Sequence, residues 1–151
     1  MWSAELLRAR FAMADLPWQP EPLEERFFKD RDPADAAVLV PLVQRTDDLY
    51  VLLTLRTAHL NDHAGQISFP GGRCEPEDGH PIETALRETV EETGLTRNFI
   101  EVLGTMPVYQ TATNFLVTPV VALVQPDCVL TPNPYEVADL FFTVGMPSLV
   151  R

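Results

Sequence analysis

The chain has 151 residues, 46% of them hydrophobic, which is enough material for one domain with a proper apolar core. Its 22 Asp and Glu against 11 Lys and Arg give a formal net charge of -11, which argues against nucleic acid or anionic membrane as the main partner, since both are held by clustered cations. A small anionic substrate stays open if a cation accompanies it, because bound divalent ions invert the electrostatics of an acidic pocket.

The first stretch, MWSAELLRARFAMADLPW, is amphipathic and interrupted by Arg8, Arg10 and Asp15. It lacks the apolar run of a signal peptide or membrane span, so a soluble, cytoplasmic protein is expected. The two cysteines, Cys74 and Cys128, stand far apart and read as reduced thiols. Residues 3–14 predict a short helix with Ser3 as N-cap. Pro17, Pro20, Pro22 and Pro33 then break up a connector. Residues 1–34 are thus expected to be a terminal helix and connector packed on a main domain of residues 35–151.

The runs AAVLVPLVQ (36–44) and LYVLLTLR (49–56), separated by RTDD, predict an antiparallel hairpin. The second run is nearly all apolar and reads as buried on both faces. Residues 57–68 are polar and irregular and lead to the turn FPGG. A helix comes next, then FIEVLGTMPVY and FLVTPVVALV as strands, the loop QPDCVLTPNPYE, and VADLFFTV as a last strand. Strands on both sides of one central helix, plus a terminal helix, predict an α/β (α+β) domain with a mixed sheet.

The central helix is bounded by Pro81, suited to its first position, and Gly94, suited to its stop. At about 100° per residue, Glu92 lies about 40° to one side of Glu88 and Glu91 about 60° to the other. Ile82, Ala85, Leu86, Thr89, Val90 and Thr93 fall opposite and predict the core face. Such a carboxylate face is either solvated or a site for Mg²⁺ or Mn²⁺, which bridge carboxylates to substrate phosphates. Arg87 is spaced to pair with Glu83 or Glu91. The PGG turn just upstream would let bare backbone approach a ligand or metal.

RETVEETGL, residues 87–95, together with Gly72, resembles the signature of the Nudix hydrolases. Asp78 stands where that pattern has its first Glu, and the spacing from there to Arg87 is one residue longer than usual. The resemblance implies a mixed sheet sandwiched between helices and hydrolysis of a nucleoside diphosphate derivative by metal-activated water. It implies Glu88 and Glu92 as principal metal ligands, the Gly72 carbonyl completing the shell, and Glu91 as a further ligand or the base. Arg87 would orient the glutamates, and Glu136, after the proline-rich loop, would join the metals or act as base. Lewis-acid and hydroxide-generating roles then fall to the metals.

LLTLRTAHLNDHAGQISFPGG, residues 52–72, is similar to the second signature of the coenzyme A pyrophosphatase branch. That similarity implies a small-molecule nucleotide substrate, coenzyme A or a derivative, split into 3′,5′-ADP and a 4′-phosphopantetheine product. Arg56, His63, Gln66 and Phe69 are the expected substrate contacts, with His59 a further donor nearby. Thr57 is a mild departure from an expected Ser or Ala; Asn61 replaces an expected Arg, and that departure leaves the substrate open. ADP-ribose, a dinucleotide or a nucleoside triphosphate are the alternatives within the same chemistry. A silent binding module is the alternative outside it. The branch usually runs some tens of residues further, so a short member or a truncated chain is expected.

Overall fold

The computed structural model describes residues 3–13, 32–46, 48–60 and 64–144. Helix α1 (Ala4–Ala12) starts where the Ser3 side chain accepts the Leu6 N–H, as its N-cap type requires. The strands are β1 (Ala34–Gln44), β2 (Leu49–Arg56), β3 (Ile67–Ser68), β4 (Gly71–Arg73), β5 (Ile100–Thr105), β6 (Tyr109–Gln110), β7 (Phe115–Val124) and β8 (Val137–Val144). Helix α2 (Pro81–Thr93) lies between β4 and β5, with short 3₁₀ turns at Pro76–Asp78 and Arg97–Phe99.

Both ends of α2 are chemically specified. Pro81 occupies the first helical position and the His80 ring accepts the Ile82 N–H at 3.1 Å. Gly94 ends the helix at φ 72°, its N–H returning to the Val90 carbonyl at 3.0 Å. A Cβ there would also stand 2.8 Å from the Thr131 backbone, so the site rejects side chains twice over. The buried Thr89 and Thr93 hydroxyls donate to the carbonyls of Ala85 and Thr89, each at 2.7 Å, which keeps polar groups tolerable on a core face.

The eight strands form one mixed sheet with the path β3-β2-β1-β7-β5; β4 joins β1, β6 joins β7 and β8 joins β2. β1 runs parallel to β7 over residues 34–43, while its other partners are antiparallel. The hairpin and the β7 and β8 spans stand as expected. β2 is less buried than expected: the central strands β1 and β7, packed against a helix on each face, are buried along more of their length, whereas β2 has partly exposed positions along it.

Alternation along the strands sets the two layers. Val40, Leu42, Val121 and Leu123 pack with Leu7 of α1 on one face. Ala37, Leu39, Val120 and Ala122 pack with Ala85 and Leu86 of α2 on the other. The sheet is thus sandwiched between helices. Leu7 is fully buried and is the anchor of α1.

One edge of β1 changes partner along its length: β4 faces residues 36–38 and β2 faces residues 42–44. In the gap between them the Leu39 N–H donates to the Pro70 carbonyl at 2.8 Å. This fork in the sheet positions the site. No helix of the described residues is long and apolar enough to cross a membrane.

Candidate active site

Glu88 and Glu92 rise from α2 at the fork. Glu88 lies against Gly72 of β4 so closely that a Cβ there would stand 2.6 Å from its carboxyl carbon. Glu92 lies 3.9 Å from the Arg56 guanidinium at the end of β2. Sequence spacing puts all three glutamates on one carboxylate face turned away from the core, and here the structure differs in how deep each one lies. Glu92 is buried at 2% exposure, Glu88 is half-buried, and Glu91 is exposed. The helical wheel places Glu92 at the border of the core face, and the sheet fork then closes over it.

Burial drives the Glu92 carboxyl up to about 8, the Glu88 charge adding to the effect and Arg56 opposing it. Burial also raises Glu88, with Arg87 working against that rise, and Glu136 raises both groups. Glu92 Oε2 and Arg56 Nε are buried without a hydrogen-bond partner among the described residues. Such orphaned groups are costly unless something else satisfies them.

Arg87 is the organiser of this face. Its Nε and Nη2 donate to the two Asp78 carboxylate oxygens at 2.8 and 3.0 Å. Its Nη1 donates to Glu88 at 3.0 Å and to Glu91 at 3.4 Å, and its Nη2 reaches the Arg73 carbonyl at 3.2 Å. Asp78 also accepts from the Thr84 hydroxyl and the Glu75 N–H, and Arg87 holds it well below the usual carboxylate range. The stretch between Asp78 and Arg87 opens on Gly79 at φ 69°, directly after the 3₁₀ turn, and still brings the two side chains together. Of the two spaced partners of Arg87, Glu91 pairs with it, whereas Glu83 pairs with Arg97 at 2.7 Å.

A cavity of about 570 Å³ opens above the fork, and Glu88, Glu92 and Glu136 line it together with Arg56, Gln66 and Phe69. Gly72 lines it beside Glu88. Glu91 and Arg87 stand outside its wall. His63 and Asn61 lie outside the described residues. His59 packs instead on the Tyr135 ring, with centroids 4.7 Å apart.

Sequence reasoning missed Arg73, which also lines the cavity. It makes no ion pair among the described residues and lies over the Phe115 ring at 5.4 Å. Its place directly after Gly72 was the available signal. Tyr109, Thr111 and Phe115 complete the wall, and nothing in their local sequence marks them.

A model of the NUDIX domain matches residues 33–145, most of the chain. The chain belongs to the NUDIX family. It is 45% identical over 106 residues to NudL of Yersinia enterocolitica, described as an uncharacterized Nudix hydrolase, covering 70% of this chain and 54% of that one. The chain thus spans about half the length of that relative. Among solved structures, the Nudix hydrolase RenU of M. smegmatis superposes with a TM-score of 0.63 at 23% identity, covering 75% of this chain and 71% of that one. An Ap4A hydrolase of C. elegans gives 0.61 at 18%, covering 71% and 77%. At these identities the two likenesses establish the fold alone: a mixed sheet between helices.

The Nudix helix α2 offers hard oxygen donors suited to a divalent ion. The described residues contain no ready set of three His, Cys, Asp or Glu side chains close enough to hold an ion. Two carboxylates on α2 carry raised proton affinities, one with an oxygen that has no partner, and bare Gly72 backbone stands beside them. That arrangement fits a cation which would replace the missing partner and offset the mutual repulsion.

Proposed function

We propose that this Nudix domain hydrolyses the diphosphate linkage of a nucleoside diphosphate derivative with Mg²⁺ or Mn²⁺, and that coenzyme A or a derivative is its substrate. The observation carrying the reading is the meeting of Glu88, Glu92 and Glu136 in one cavity with Arg56 and Arg73. Glu88 and Glu92 would hold the ion, with the Gly72 backbone beside them. A divalent ion supplies Lewis acidity and lowers the pKa of water.

The chain's own groups do the rest. Arg87 fixes the Glu88 carboxylate while bracing itself on Asp78. Arg56 offsets charge at the buried Glu92. Arg73, steadied on Phe115, presents a cation to substrate phosphate. Glu136 lines the cavity close enough to raise Glu88 and Glu92 and is the candidate to accept a proton from attacking water, a role for which the exposed Glu91 is less well placed.

The substrate assignment is supported by the segment of residues 52–72, from which Arg56, Gln66 and Phe69 reach the cavity. Incubation with Mn²⁺ or Mg²⁺ and a panel of coenzyme A, ADP-ribose, dinucleotides and nucleoside triphosphates, with products identified by mass spectrometry, tests it. Formation of 3′,5′-ADP with the highest kcat/KM in the panel is expected. A preference for a dinucleotide or triphosphate would replace the substrate and keep the chemistry; no turnover of any diphosphate would remove both.

A further inference from the structure

Glu136 comes from a loop, so its place in the cavity depends on what pins that loop. Two residues do. The Thr57 N–H donates to the Glu136 carbonyl at 3.1 Å, and the Thr57 hydroxyl donates to the Tyr135 carbonyl at 2.8 Å. Thr57 is buried, and His59 backs it, with its Nε2 3.4 Å from the same hydroxyl and its ring against Tyr135. On the other side, the Asn133 N–H donates to the Glu92 carbonyl at 2.9 Å, while the Asn133 carbonyl accepts from Glu136 and Val137 at 3.2 and 2.9 Å. The β2–β8 pairing shifts between Leu55 and Arg56, bringing Arg56 opposite Val137 and Thr57 beside the loop. The loop is therefore fastened to the Arg56 segment and to α2 at once.

We infer that Thr57 is a positioning residue whose hydroxyl sets Glu136 against Glu88 and Glu92. This rests on the reading of Glu136 as a member of the site. Without the hydroxyl, the Tyr135–Glu136 peptide loses its 2.8 Å bond on the carbonyl side and keeps only the longer 3.2 Å bond from the Glu136 N–H to the Asn133 carbonyl, so its orientation is less closely held. Misplacement of a reacting group by about 1 Å costs about 10²-fold in rate, so a loop that relaxes by part of that distance lowers kcat measurably.

The test compares Thr57→Val, which keeps the shape and loses the donor, with Thr57→Ser, which keeps the donor. Thr57→Ala is the second variant should Val disturb folding. Expected for Val or Ala is a fall in kcat of roughly 10- to 100-fold with KM within about twofold, and for Ser near-normal turnover. In a Glu136→Gln background the Val substitution should cost nothing further, because both act on one group. Hydrogen exchange over residues 131–137 should quicken in Val and not in Ser. Normal kcat in Val and Ala, equal losses in Ser and Val, or independent losses in the double variant would each overturn the inference. If the wild type hydrolyses no diphosphate, the hydrolase reading falls separately, and the exchange measurement decides Thr57: unchanged exchange in Val overturns it.

Discussion

Two carboxylates on the α2 side carry opposite consequences. Glu92 is buried and held up to about 8, so near neutral pH without a cation it is mostly protonated. Gln resembles that protonated form in shape and charge. Glu92→Gln is therefore expected to leave the Tm in chelator nearly unchanged, while reducing Mn²⁺ affinity by at least the about 10–100-fold that even outer partners of a metal ligand contribute. Differential scanning fluorimetry with and without Mn²⁺ checks it; an unaltered Mn²⁺-dependent rise would remove Glu92 from the ligand set. Asp78 behaves the other way. Its folded value lies below its ordinary one because Arg87 binds the ionised form. The stabilisation is then present above the unfolded pKa of about 3.9 and is lost as pH falls through the lower folded value. Asp78→Asn should lower Tm at pH 7, and the gap to wild type should narrow as pH drops below about 4. A gap independent of pH would mean that Asp78 acts through shape alone.

At the scale of elements, α1 is held by one fully buried side chain and reinforced at its edge. Leu7 fills the α1 face of the sheet, and Arg8 makes paired hydrogen bonds to Glu101 of β5. The Arg8 pair is solvent-exposed and contributes little. Leu7→Ala should cost about 2–5 kcal/mol, read by urea denaturation, with KM and kcat of the surviving folded fraction unchanged. A loss within experimental error would show that α1 is not part of the cooperative unit. The two helices also show where sequence was informative. Ser3, Pro81 and Gly94 mark helix ends through bonds made within one turn, so local spacing predicts them. Glu92 was misplaced because its burial is decided by β2 and β4, residues distant in the chain. The parallel pairing of β1 with β7 was likewise invisible: two apolar runs announce strands, not which strands become neighbours. β3 and β6, of two residues each, leave no periodicity to read.

In a molecule of net charge -11, a bound cation would do more than assist chemistry, since it would let the buried Glu92 ionise beside Glu88 and Glu136. At a hundredfold excess over Kd, an ion that binds only the folded state adds about 2.7 kcal/mol, and each kcal/mol shifts Tm by roughly 2–4 °C at this size. Mn²⁺ should thus raise Tm by about 5–11 °C over chelator, and a flat response would refute the site. The fork between β4 and β2 has a broader consequence. Ala36, Val38, Phe115 and Val117 of the cavity wall continue the strand rows that α1 covers further along, whereas α2 is packed on the opposite face. Through the gap, a reactive apparatus rooted behind the sheet opens into a chamber shaped in front of it. Exchanging side chains such as Tyr109 and Thr111 would therefore reshape the chamber, while the α2 face that aims Glu88 and Glu92 stays packed on the far side of the sheet. Under the proposed hydrolysis, such exchanges would change which substrate fits the chamber and leave the carboxylates where they are.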